Sequence, residues 1–297
     1  MRVFVTGATG FIGSAIVQNL IEAGHQVLGL ARNDAAAGAL ARVGAEAHRG
    51  DLTDPDSLVA GARACDGVIH TAFIHDFSQF MANVEVDRRA VEAVTRSLEG
   101  SGKPMVIASG TLMVSHARPA TENDGPVSVD GPRAASEVMV LTTPGVRGAV
   151  VRLPPPVHDL TRAGLISLMV PIAREKGVSA YVGDGANVWP AVHRLDAARL
   201  FCLALERAAP GSRLHAVAEE GIPMRAIAEA VGQALGVPAR SIAAEEAAAH
   251  FGVAGMFVAL DNPSSSAITR EAVGWRPREV DLLTDLRQGV ATWAVTP

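Results

Sequence analysis

The stretch TGATGFIG at residues 6–13 governs the reading of everything around it. It directly follows the short apolar run RVFVT and opens a segment in which Ile12, Ile16 and Leu20 recur every four residues. A buried strand passing into a helix through glycines spaced G-x-x-G-x-x-G has the context of a dinucleotide-binding turn. Gly7 permits the tight turn, Gly10 lets backbone approach a pyrophosphate, and Gly13 lets the helix pack closely on the strand. Thr9, Phe11 and Ile12, in the same loop and first turn, are counted with them as cofactor-binding. The spacing is one residue longer at the front than the commonest fingerprint of this kind.

Working outward, short β-branched runs alternate with helix-period segments, the signature of βαβ units and a parallel sheet. The expected strands are RVFVTG (2–7), HQVLGLA (25–31), AEAHRGDL (45–52), GVIHTAF (67–73), KPMVIASG (103–110) and GAVVRL (148–153). Between them fall a helix from about 11 to 23 with Gly24 as its C-cap, and another near 34–43. DPDSLVAGA starts a third helix with an Asp cap, a long one covers roughly 83–99, and a last opens on the glycine-proline start of GPRAASEVMV (131–140). After RLPPPVHD the pattern loosens into a helix near 164–176, the strand SAYVG, a helix across 196–208, the strand RLHAVAE (213–219) and a helix over 223–235. The expectation is an α/β protein with a doubly wound parallel sheet of about seven strands and a smaller mixed C-terminal lobe. Residues 1–155 would form the dinucleotide-binding domain, with a segment near 187–218 returning to it. Residues 156–297 would mainly bind substrate.

Composition narrows the function. The chain has 297 residues, 48% of them hydrophobic and 19% charged, with a net charge of −5, so no basic surface for nucleic acid is advertised. Only two of its 26 cationic residues are lysines, Lys103 and Lys176. Cys65 and Cys202 lie far apart in apolar contexts and match no metal or redox spacing, so both read as buried free thiols. Glycine and threonine interrupt the N-terminal run by residue 7, which argues against a secretory signal, and no segment approaches the ~20 apolar residues of a membrane span. A soluble, cytoplasmic protein acting on a small molecule is expected, with a homodimer left open.

The second strand bears on the cofactor. An NAD-preferring site places an acidic residue at its end, bonded to the ribose 2′-hydroxyl. Here the strand ends GLARND, so Arg32 offers a guanidinium where that carboxylate would stand, and Asp34 falls past the turn. Charge-assisted bonds from an arginine suit a 2′-phosphate, which points to NADP(H). Asp51 and Leu52 would flank the adenine, and Thr71, Ala72 and Phe73 would line the middle of the cofactor.

TGATGFIG, the GDL at 50–52, VIHTA at 68–72, VGDGANVWPAVHRLDAA at 182–198 and ITREAVGWRP at 268–277 resemble the extended and atypical short-chain dehydrogenase/reductases over essentially the whole chain. The resemblance implies a substrate cleft closed over the nicotinamide by the C-terminal lobe, with Pro154 and Val157 near the carboxamide and His158 close by. It also implies a Tyr-x-x-x-Lys pair on the helix after the fifth strand and a Ser or Thr at that strand's end. Laid on this chain, the pattern puts Arg133 on the tyrosine position and Glu137 on the lysine position, while the only tyrosine is Tyr181 in the second lobe.

Arginine is not a general acid near neutral pH, but it can stabilise charge developing on an oxygen. Glu137 could take hydrogen bonds from ribose hydroxyls, or the two could simply pair across one helical turn. Thr111 or Ser109 would stand near the serine position. His75, in the loop FIHDF, is the best-placed group titrating near neutrality. His193 and Asp196 read as fixing the returning segment. The leading expectation is an NADPH-dependent reductase of a small carbonyl or imine, with Thr111 and Arg133 orienting the acceptor and a proton from water, His75 or the substrate. A non-catalytic NADP(H) sensor is the alternative. A nucleotide-sugar epimerase or dehydratase comes third, because it leans hardest on the absent pair.

Overall fold

The computed structural model describes residues 1–114, 118–128, 131 and 133–293. In the first half the order is β1 (Arg2–Thr6), α1 (Phe11–Glu22), β2 (Gln26–Ala31), α2 (Asp34–Arg42), β3 (Glu46–Arg49), α3 (Pro55–Arg63), β4 (Gly67–His70), α4 (Phe80–Ser97), β5 (Pro104–Gly110), α5 (Ala134–Thr142) and β6 (Arg147–Leu153). There follow β7 (Val157–Asp159), β8 (Arg162–Ala163), α6 (Ile166–Lys176), β9 (Ser179–Val182), β10 (Val188–His193), α7 (Arg194–Arg207) and β11 (Ser212–His215). The chain ends with β12 (Glu219–Pro223), α8 (Met224–Leu235), β13 (Ala239–Ile242), α9 (Ala247–Phe251), α10 (Ala267–Val273) and α11 (Leu282–Gly289).

Seven parallel strands form the large sheet in the order β11-β6-β5-β4-β1-β2-β3. The order reverses between β1 and β4, the switch point where open α/β sheets bind ligands, and the glycine loop opens there. Alternation along β1 sends Val3 and Val5 to one face and Phe4 to the other. The first face packs on α1 and α7 through Ile16, Leu20, Phe201 and Leu205, and the second on α3, α4 and α5 through Leu58, Val91, Val94 and Val140. Cys65 and Cys202 are free and sit in these cores, where burial pushes their thiols up to about 11 and about 12.

A four-stranded mixed sheet, β12-β10-β7-β8, and the parallel pair β13-β9 build the smaller lobe. Its own core gathers Trp189, Ile227, Val231, Leu282 and Leu286 between β10, α8 and α11. Helix ends follow local chemistry: Asn33 and Asp54 accept from the backbone N–H groups of Ala36 and Ser57, and left-handed Gly177, Gly236 and Gly274 stop α6, α8 and α10.

Several strands stop earlier than their sequence runs suggest. β4 ends at His70 because its neighbour β1 ends at Thr6, whose carbonyl accepts from the Thr71 N–H (3.3 Å). The run RLHAVAE divides: β11 ends at His215, and by Ala218 the chain is bonded to Ala191 of the small sheet (2.9 Å). β10, within the segment expected to return to the large sheet, instead belongs to the small one, while α7 and β11 complete the large one. The C-terminal stretch is fastened to α7 by Asp196, which is buried. Its carbonyl accepts from Trp275 Nε1 (3.0 Å) and its carboxylate from the N–H groups of Arg278 and Glu279 (both 3.0 Å). Among the described residues no helix is long and apolar enough to cross a membrane.

Candidate active site

The glycine loop has the close approaches that its spacing suggests. Gly7 has φ 68°, and a Cβ there would lie 2.8 Å from the Ala72 nitrogen. A Cβ on Gly13 would lie 1.9 Å from the Gly7 carbonyl oxygen, so nothing larger than glycine lets α1 start here. Gly10 caps α1 without a side chain, the first turn carries no acidic residue, and Thr9 and Gly10 are exposed. That leaves helix N–H groups facing outward with the positive end of the helix dipole behind them, a cradle that fits a dinucleotide's diphosphate. Phe11 and Ile12 in that first turn are half-buried.

At the end of β2, Arg32 is exposed, and Asp34 is drawn into an ion pair with Arg49 from the end of β3. No carboxylate is thus left free at the end of β2. Asp51 is turned onto its own loop, its carboxylate accepting from Thr53 N (2.9 Å) and Oγ1 (2.7 Å). These bonds hold it below the usual carboxylate range, with a further contribution from Arg32. Leu52 is buried beside it. Thr71 and Ala72 are stapled to the end of β1. The Thr71 hydroxyl donates to Thr6 O (2.9 Å) and the Ala72 N–H to the Thr6 hydroxyl (3.4 Å).

Beyond that staple, Phe73 forms a wall. His75, exposed at the rim, stands edge-on to its ring at 5.2 Å, and the Arg133 guanidinium lies over it at 4.9 Å. Surrounding protein, then Arg133 and Arg162, hold His75 below its ordinary value. Arg133 precedes α5 in the left-handed region at φ 66°, the only non-glycine with positive φ among the described residues. The expected proline start, Pro132, lies outside the described residues.

Arg133 Nη2 donates to Asp87 Oδ1 (3.3 Å), and Asp87 is fully buried on α4. The same oxygen accepts from His70 Nε2 (3.3 Å). A carboxylate can only accept, so Nε2 carries the proton and, in the neutral ring, Nδ1 accepts from the Thr6 hydroxyl (2.9 Å). Burial would raise the Asp87 carboxyl, but Arg133 and His70 hold it below the usual range. A chain of polar contacts therefore runs from the end of β1 beneath the cleft to Arg133. Sequence reading missed His70 and Asp87, since 17 residues separate them and no periodicity joins β4 to α4.

Four residues singled out in the sequence are buried, three of them in contacts with other elements. Glu137 neither faces the cleft nor pairs with Arg133. It is fully buried and takes a two-pronged bond from Arg152 of β6 (Nε to Oε1 3.1 Å, Nη2 to Oε2 2.7 Å). Helix spacing put it on Arg133's side of α5, but a desolvated carboxylate requires a partner, and β6 supplies it. Thr111 is fully buried, its hydroxyl donating to Asn262 Oδ1 (2.7 Å) while Asn262 Nδ2 donates back to the Thr111 carbonyl (3.0 Å). Ser109, two residues earlier, is buried and its hydroxyl has no hydrogen-bond partner among the described residues. His158 is rooted in the smaller lobe, fully buried, with Nδ1 bonded to Asp285 (2.7 Å). Pro154 and Val157 are buried on either side of the lobe crossing, and Tyr181 lies in β9 with Arg225 over its ring at 6.0 Å.

Arg162 of β8 in the smaller lobe and Arg194 at the start of α7 lie over the Phe11 ring at 5.1 and 5.0 Å, and sequence reading missed both. Arg194 is paired with Asp159 (3.1 Å). A parallel sheet reversing at a glycine-turn helix, with a second lobe reaching over the switch point, defines a dinucleotide-binding protein of the extended short-chain dehydrogenase/reductase type. The chain belongs to the NAD dependent epimerase/dehydratase family, whose profile matches residues 3–217. Among its relatives is an uncharacterized protein of Schizosaccharomyces pombe, 46% identical over 96% of this chain and 98% of that one. A 2-alkyl-3-oxoalkanoate reductase of Stenotrophomonas maltophilia is 28% identical over 80% of this chain and 77% of that one. The fold is shared with a solved dTDP-glucose 4,6-dehydratase of Streptomyces venezuelae (TM-score 0.74, 22% identical, covering 98% of this chain and 96% of that one).

Proposed function

We propose that the protein is an NADPH-dependent reductase of a small carbonyl or imine compound. The observation that carries this reading is the guanidinium of Arg133, held over Phe73 at the mouth of the cleft where the resemblance puts a tyrosine. Gly7, Thr9, Gly10, Phe11 and Ile12 would hold the diphosphate, Arg32 a 2′-phosphate, Asp51 and Leu52 the adenine side, and Thr71 to Phe73 the middle. When bound, the cofactor supplies the hydride that reduces the acceptor carbon. Arg133 then stabilises negative charge gathering on the acceptor oxygen, which is worth most where water is excluded. His75 at the rim, held below its ordinary value by the surrounding protein and Arg133, is a poor proton donor near neutrality, so water is the proton source this reading favours. An iminium acceptor needs no proton at all. The S. maltophilia relative, named as a reductase of a 3-oxo compound, supports the reaction class. Loss of a general acid typically forfeits about 10²–10⁴-fold in rate, so simple ketones are expected to turn over slowly.

The test is NADPH oxidation by the purified protein across aldehydes, ketones, cyclic imines and UDP-glucose, beside binding of NADPH and NADH. Turnover of a carbonyl or imine that falls about 10²-fold or more in Arg133→Ala, with NADPH binding intact, is the expected result. Tight NADPH binding with no turnover anywhere in the panel would replace the reductase with a dinucleotide sensor. UDP-glucose converted to its 4-epimer with no net NADPH consumption, read by chromatography of the sugar nucleotides, would favour an epimerase.

A further inference from the structure

Three polar residues follow β2, and two of them are engaged. Asn33 caps α2, its Oδ1 accepting from the Ala36 N–H (2.9 Å). Asp34, the first residue of α2, is ion-paired with Arg49, the last residue of β3. Arg32 is exposed and has no ion pair among the described residues. Asp51, on the loop after β3, is turned onto Thr53 N and Oγ1 (2.9 and 2.7 Å). Charge at this edge of the sheet therefore balances, two against two, and the difference lies in which groups are already taken.

The Asp34–Arg49 pair follows from the sheet. β2 and β3 run parallel with Ala31 opposite Arg49, so the two strands finish level, and the Gly50 N–H donates to the Ala31 carbonyl (3.4 Å). In this fold the adenosine ribose lies beyond the end of the second strand, where a carboxylate bonds the 2′-hydroxyl and opposes a 2′-phosphate. Asp34 stands three residues past that end with its side chain 98% exposed, and Arg49 is its one ion-pair partner among the described residues.

We infer that Arg49 sets the cofactor preference: by engaging Asp34 it withholds a carboxylate that would otherwise claim the ribose 2′-hydroxyl, and leaves Arg32 to meet a 2′-phosphate. Arg49 acts through Asp34 and does not itself touch the cofactor. The direction of the preference rests on the NADPH reading above; the control of Asp34 by Arg49 does not. An exposed ion pair adds little to stability, so this one can be removed with the fold intact. A freed Asp34 is a like charge beside a phosphate but a hydrogen-bond acceptor beside a hydroxyl. Its release therefore acts on the two cofactors in opposite senses.

Calorimetry of the full-length protein reads NADPH and NADH affinity for the wild type, Arg49→Gln, Asp34→Asn and the double variant, with a thermal melt of each. The wild type is expected to prefer NADPH. Arg49→Gln should lower the ratio of NADPH to NADH affinity about tenfold, equivalent to about 1.4 kcal/mol. Adding Asp34→Asn should return the ratio to its wild-type value, and Asp34→Asn alone should leave it there or raise it. A merely structural role for Arg49 would weaken both cofactors together, with no rescue by the second substitution. An unchanged ratio in Arg49→Gln overturns the inference. So does a lowered ratio that Asp34→Asn fails to restore, since that puts Arg49 on the phosphate itself. A wild type that prefers NADH, with the ratio still falling in Arg49→Gln and returning in the double variant, would remove the NADPH reading and leave Arg49 in control of Asp34. Binding of neither cofactor would remove both.

Discussion

Arg133 holds a backbone conformation that costs an L-residue about 1–2 kcal/mol, and does so with φ 66° just before a helix that a glycine could open without strain. The strain sets the guanidinium over Phe73 and against Asp87, which is the pattern expected where backbone energy is spent on a site. Comparing two substitutions isolates it. Arg133→Ala and Arg133→Gly both lose the guanidinium and its contacts, but only alanine keeps the unfavourable φ. Urea unfolding is therefore expected to find Arg133→Gly more stable than Arg133→Ala by about 1 kcal/mol, the reverse of the order at an ordinary helical position. An alanine variant equal to or more stable than glycine would mean that the backbone relaxes and stores nothing.

Between elements, the Glu137–Arg152 pair ties α5 to β6 inside the sheet's core. Arg152 Nη1 continues to the Asp124 carbonyl (2.7 Å), so one buried side chain joins helix, strand and loop. Removing one member leaves the other charged and desolvated. Glu137→Ala is expected to destabilise the protein by about 3–5 kcal/mol in denaturant melts, while Glu137→Leu with Arg152→Met recovers most of that. If both variants lose stability equally, the pair is not the cause. This contact also marks how far sequence could be read. Gly13 is legible because the Gly7 carbonyl that excludes a Cβ there lies in the same turn, and Gly7 because its φ of 68° belongs to that turn, although the crowding from Thr71 and Ala72 is not local. Helix spacing placed Glu137 near Arg133 yet was silent on Arg152, 15 residues on and across a strand. Thr111 meets Asn262 and His158 meets Asp285 over separations of 151 and 127 residues, where no local period carries information. The large sheet was readable strand by strand since each βα unit is self-contained. The division of 213–219 between two sheets was not, because a single apolar run cannot announce a change of partner.

Across the whole molecule, burial and neighbouring cations set the response to acid. His193, His215 and His250 are all held below their ordinary value of 6.5, burial being the first cause in each. A histidine depressed on folding binds fewer protons in the native state than in the unfolded one, so stability rises with pH through that window. Their contribution is complete above about pH 6.5 and is lost as the pH falls from there toward the folded values. Glu219, raised chiefly by burial, has the opposite sign and acts in the carboxylate range. Scanning calorimetry is expected to show Tm falling as the pH drops from about 6.5 to about 5.5, before the aspartates titrate. A flat Tm over that interval would mean that these histidines titrate alike in the folded and unfolded chain.

The lateness of β11 in the chain has a consequence for biosynthesis. The edge of β6 is complete once Leu153 has emerged, but the strand that covers it begins only at Ser212. At ~5–20 residues per second, a ribosome needs roughly 3 to 12 s to deliver it. Throughout that time the nascent protein presents an unpaired, apolar strand edge, the feature most prone to pairing with another chain. Translation rate and temperature are therefore expected to shift the race between cis closure and aggregation, and slowing translation is expected to change the soluble yield.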